Sequence, residues 1–170
     1  TGGAKYHYFT IDTSNPDEIL NANNSAISKH VTISKENTLS INQTGVTALS
    51  RAMQAKLNQV GGNGAYFAAN IKDFLSKSDY THISNEISFA DNCQVDSGSV
   101  VLCAHPRMIQ SIDAIGTDII ELTGNHNNDW SASANLSTLN LYNEKGYLTF
   151  GGGKDEETAR KPLELTNKES

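Results

Sequence analysis

Apolar positions along the chain alternate between two rhythms. Leu39, Ile41 and Val46 mark a short extended segment through Thr44-Gly45-Val46-Thr47. Ala48, Leu49, Ala52, Met53, Leu57 and Val60 then recur at helical spacing, and Gly61-Gly62-Asn63-Gly64 ends the run. A second helix is expected from Ala68 to Lys77, with Ile71, Phe74 and Leu75 on one face. Asp79 to Glu86 is rich in β-formers and reads as a strand, and Ser99-Val100-Val101-Leu102 as another strand or its end. Pro106 opens a helix that carries Met108, Ile109, Ile112 and Ile115 and stops at Gly116. Asp118 to Leu122 is a strand that runs into Thr123-Gly124-Asn125-His126. The helix from Ser131 to Lys145 is expected to bury Leu136, Leu139 and Tyr142 and to end at Gly146. Tyr147 to Phe150 is a strand, and Gly151-Gly152-Gly153 a loop. Asp155-Glu156-Glu157 places acids where a short helix's dipole favours them, and Pro162 closes that helix or begins the next extended segment.

Strand and helix patterns in alternation predict βαβ units with right-handed crossovers. The expected fold class is α/β, with a mainly parallel sheet flanked by helices. Residues 1–38 are patterned more weakly. Tyr6, Tyr8, Phe9 and Ile11 fit one strand, Thr13-Ser14-Asn15-Pro16-Asp17 a turn or helix start, and Asn21 to Ser25 a loop. This stretch reads as a leader or edge segment, with the α/β domain at 39–170.

Composition narrows the partners. The 170 residues carry 13 Lys+Arg against 19 Asp+Glu, a net charge of -6. Nucleic-acid binders carry a basic footprint, so no nucleic-acid partner is expected. No window approaches the roughly 18 apolar residues of a membrane span. Abundant Asn, Ser and Thr fit a secreted protein at least as well as a cytosolic one.

Ligands of parallel α/β sheets bind at the carboxyl ends of the strands. Three polar clusters fall there: Thr44-Gly45-Val46-Thr47, Asn85-Glu86, and Gly124 to Asp129. Glu86 can serve as a hard-oxygen metal ligand or general base, or simply as a solvated strand-end carboxylate. His126 can ligate a metal or transfer a proton, and Asn125 offers a neutral oxygen or an amide donor. Asp129 can orient the imidazole or cap the next helix. His82, four residues before Glu86 on the same strand face, can pair with it or simply be a surface or half-buried histidine, and His105 resembles a helix-start residue. Gly151-Gly152-Gly153-Lys154 lacks the spacing of a phosphate loop, and no GxSxG elbow is present. Cys93 and Cys103 leave two readings open, a small disulfide loop or two buried thiols.

Glu121-Leu122-Thr123-Gly124-Asn125-His126-Asn127-Asn128-Asp129-Trp130 resembles the "NNHxxDxG" signature of the CapA family, the bacterial poly-γ-glutamate capsule synthesis (PGA-cap) proteins. Phe74 to Glu86 looks like the family's "aDlxxxNxE" strand, Thr138-Leu139 and Gly146 like its "TlxxLxxxGI" segment. Gly151 to Pro162, with Gly153, Glu157, Ala159 and Arg160, looks like its "GaGxxxxeArxP" segment. The resemblance covers about residues 39–165. It implies a layered α/β sandwich similar to calcineurin-like metallophosphoesterases, with a divalent metal (Mn, Zn or Mg) at Glu86, Asn125 and His126. Asn125 and His126 would be catalytic, and Arg51 and Asp129 would contact substrate.

It further implies a cell-envelope role in making or retaining an anionic capsule or wall polymer, outside the membrane or anchored to it, beside membrane-anchored synthesis machinery. Disulfides persist there, so the resemblance favours a Cys93–Cys103 bridge. The motif order implies truncation at the C-terminus. One departure concerns the chemistry: where the family's first strand ends in Gly-Asp, this chain has Gly45-Val46, and valine cannot bind a metal. The implied reading is a degenerate metal site, and the alternative an active metal-dependent hydrolase of phosphoester or amide bonds. Binding an anionic polymer would need a local basic patch, drawn from Arg51, Arg107, Lys154, Arg160 and Lys161 around the strand ends.

Overall fold

In the computed structural model the chain runs β1 (Ile41–Thr47), α1 (Ala52–Gln59), a 3-10 turn (Gly64–Ala68), α2 (Lys72–Leu75), β2 (Tyr80–Asn85), β3 (Ser88–Phe89) and β4 (Cys103–Ala104). A 3-10 turn (Pro106–Met108), α3 (Ile109–Ala114), β5 (Ile119–Glu121), α4 (Ala132–Glu144), β6 (Leu148–Phe150) and α5 (Glu156–Ala159) follow. The structure describes residues 39–94, 98 and 100–165. The strand, turn and loop expected within 1–38 lie outside them.

Four strands form one sheet in the order β1-β2-β5-β6, and every pairing is parallel. Each new strand joins outside the one before it. Right-handed crossovers then carry successive helices over the same face. Contacts agree: Thr81 donates its hydroxyl to the Leu75 carbonyl at the end of α2, and Asn85 bonds the Tyr142 hydroxyl of α4. Between sheet and helices lies the buried core, which includes Leu57, Ile83, Met108, Ile112, Ile120 and Tyr142. β3 and β4 form a separate parallel pair, tied by the Cys93–Cys103 disulfide, whose Cα atoms are 5.9 Å apart.

Several expected elements change on folding. The helix expected over Ala68–Lys77 is only α2. Tyr66, Ala69 and Ile71 donate their N–H groups to carbonyls three residues back, so the chain winds in tight turns and builds no helical face. Phe74 is accordingly 71% exposed, and Leu75 alone of the three expected apolar positions is buried. The strand expected at Ser99–Leu102 is displaced to Cys103–Ala104, because Asp129 Oδ2 takes the Leu102 N–H at 2.9 Å. Ser99 lies outside the described residues.

α4 buries Tyr142 as expected, but its inward face is rotated away from Leu136. Leu136 is 45% exposed and Leu139 partly buried, while Ala134, Thr138 and Tyr142 are buried. Polar bonds choose that face: Phe89 donates its N–H to the Thr138 hydroxyl at 2.8 Å, and Tyr142 meets Asn85 at 2.6 Å. The N-cap is Ser131, which accepts from Ala134 N–H, so Asp129 does not cap this helix. His105 does start its turn, its Nδ1 accepting from Arg107 N–H. Asp155 closes a capping box on α5.

Candidate functional site

β1, β2 and β5 end side by side, and their register sets which side chains meet. A bulge between Gln43 and Val46 adds one residue to β1, so Val46 stands opposite Ser84 and Thr47 opposite Asn85. Val46 is 66% exposed there, an aliphatic group at the strand end where the resemblance expects a carboxylate. Just past β2, Glu86 donates its backbone N–H to the Thr47 carbonyl at 3.4 Å. Asn85 is fully buried, and its amide donates to the Ile87 carbonyl (2.7 Å) and to Tyr142 Oη (2.6 Å). That clamp fixes the turn from which Glu86 projects.

The loop after β5 closes onto the same point. Ile87 and His126 pair through an isolated parallel bridge. Gly124 lies so near that a Cβ there would fall 2.3 Å from the Glu86 Cα, closer than any real Cβ contact. Only glycine permits this approach, and it sets the Glu86 backbone against the loop that carries Asn125 and His126. The loop is pinned along its length. Asn127 donates to the Leu122 and Gly124 carbonyls (3.0 and 2.8 Å), and Asn128 accepts from Asn135 of α4. Trp130 Nε1 donates to Asn92 Oδ1 at 3.1 Å.

Asp129 Oδ2 is the junction. It lies 2.5 Å from His126 Nδ1 and 2.9 Å from the Leu102 nitrogen. Burial raises the Asp129 pKa, but the His126 and Leu102 hydrogen bonds and the imidazole's charge together hold it below the ordinary carboxylate value. Asp129 Oδ2 takes His126 Nδ1 as its partner and so orients the ring. The arrangement can bind or position a hydrogen-bonding ligand and can exchange a proton with it.

The other sequence-derived candidates scatter. Arg51 is exposed at the start of α1, with φ 55°. His82 does not pair with Glu86: the parallel register sets it beside β5, and its Nε2 lies 3.3 Å from Glu121 Oε2. Arg160 pairs with Glu156 on α5, while Lys154 and Lys161 line a groove of about 610 Å³ with Asn140, Asn143 and Thr158. Asn85, Asn127 and Asn128 are positioning residues that the chemical reading of the sequence passed over. Their signal was the density of asparagines at the ends of β2 and β5.

The donor set falls short of the expected divalent ion. Glu86, Asn125 and His126 supply one carboxylate, one neutral amide and one imidazole, and Asp129 commits its Oδ2 to His126 and Leu102. Among the described residues no three His, Cys, Asp or Glu side chains group in a way that could hold an ion. No helix among them is long and apolar enough to cross a membrane.

A search of curated proteins returned no match. The family model described as bacterial capsule synthesis protein PGA_cap matches residues 40–170, from the strand before the Val46 bulge through the His126 loop and beyond, and the chain belongs to that family.

Proposed function

We propose that this chain is a cell-envelope module of capsule or wall-polymer synthesis that binds or retains the polymer at its strand-end cleft and has lost metal activation. Val46 carries the reading. It sets an exposed aliphatic group at the β1 end, beside a carboxylate and an imidazole that alone make a poor ion site. Lys154 and Lys161, the latter 3.5 Å from Glu157, line a separate groove along α4 that can carry an anionic polymer onward, and the disulfide supports an extracellular or cell-surface setting. Titration calorimetry with manganese and zinc tests the reading. Wild type should give no saturable heat, and Val46→Asp should create it.

A second reading, an active metal-dependent hydrolase, draws on the Asp129–His126 pair, since metal-ligating imidazoles commonly lean on a carboxylate. Saturable wild-type binding, abolished in both Glu86→Ala and His126→Ala, would replace the first reading with this one.

A further inference from the structure

Beside α4, on the flank away from the two lysines, lies a groove of about 520 Å³ that includes Phe89, Asp91, Asn92, Trp130, Ser133 and Ser137. Its size falls within the range of about 300–1,000 Å³ typical of small-ligand sites. It adjoins the strand-end site along the chain. Trp130 follows Asp129, and Phe89 stands two residues after Ile87, which bridges His126.

The lining rules out most ligand classes. No Lys, Arg or His lines the groove among the described residues, and Asp91 does. A polycarboxylate would meet repulsion and no counter-charge. An aliphatic chain would strip water from Asn92, Asp91 and the serine hydroxyls without replacing it. What remains is a ligand apolar on one face and rich in hydroxyls at its edge. The Trp130 N–H is already given to Asn92 Oδ1, so the indole offers the groove its carbon surface. The Asn92 amide hydrogens and the Asp91 carboxylate supply donors and acceptors for hydroxyls, which use both.

We infer that this groove binds an uncharged saccharide unit. The inference rests on the polymer-binding reading above and makes the bound stretch of polymer a glycan. Trp130 is the single tryptophan of the chain and lines this groove, so a ligand seated there changes the emission.

The test titrates the full chain with tetramers of glucose, galactose, mannose and N-acetylglucosamine, and in parallel with a γ-linked glutamate oligomer. At least one neutral tetramer should shift the emission saturably. Ser137→Leu, on an exposed position, and Asn92→Ala should each weaken it about tenfold, equivalent to about 1.4 kcal/mol. No response to any tetramer, or an undiminished response in Ser137→Leu, overturns the groove. A response to the glutamate oligomer alone overturns the saccharide class. Glu86→Ala and His126→Ala touch neither lining nor probe, so failure here stands apart from failure of the metal titrations.

Discussion

Asp129 concentrates more of the site than any other side chain, because one oxygen holds both His126 and the Leu102 backbone. A carboxylate held below its ordinary pKa stabilises the fold fully above that ordinary value, 3.8, and loses the contribution as pH falls through the lower folded value. Asp129→Asn keeps the shape and removes the charge. At neutral pH it should cost about 1–2 kcal/mol. Urea unfolding at successive pH values below 4 should show the wild-type advantage shrinking. A pH-independent gap would mean that the charge contributes nothing.

At this scale the sequence was partly legible. The strand-end positions of Glu86, Asn125 and His126 could be read from the alternation of strands and helices. The approach of the His126 loop to the Glu86 backbone could not, since it depends on Gly124. The Leu102 bond spans 27 residues and leaves no local trace. The Glu121 partner of His82 was not legible, because pairing across strands follows register, not spacing along one strand.

Among the elements, α4 shows both what periodicity reveals and what it hides. Its extent follows from Ser131, a helical run and Gly146, whose φ of 78° suits a glycine just past a helix end. Its buried face follows only in part: Tyr142 is buried as its spacing suggests, but Thr138, held by Phe89, takes the inward place that Leu136 was expected to fill. The two-residue strands β3 and β4 are too short to carry an alternation. Ser131→Ala removes the acceptor for Ala134 N–H and should destabilise the protein by about 1 kcal/mol in chemical denaturation. An unchanged midpoint would show that the cap is redundant.

Across the whole molecule the Cys93–Cys103 bridge couples fold to site. It closes a loop with a sequence separation of 10, next to Asn92 on one side and Leu102 on the other. Loop-closure entropy for so short a loop is worth about 2–3 kcal/mol. Reduction, or Cys93→Ser with Cys103→Ser, should lower stability by that amount and shift Trp130 emission through Asn92. Stability lost without a spectral change would confine the bridge to a role in the fold.

The one-way strand order also governs how the sheet can be assembled. Each strand pairs with a neighbour that precedes it in the chain, so the sheet can grow as the polypeptide emerges, with no strand inserted between two already joined. Cys93, Leu102 and Cys103 emerge before Asp129 as well. The bridge can therefore close, and its backbone donor be set, before the His126 loop arrives to use it.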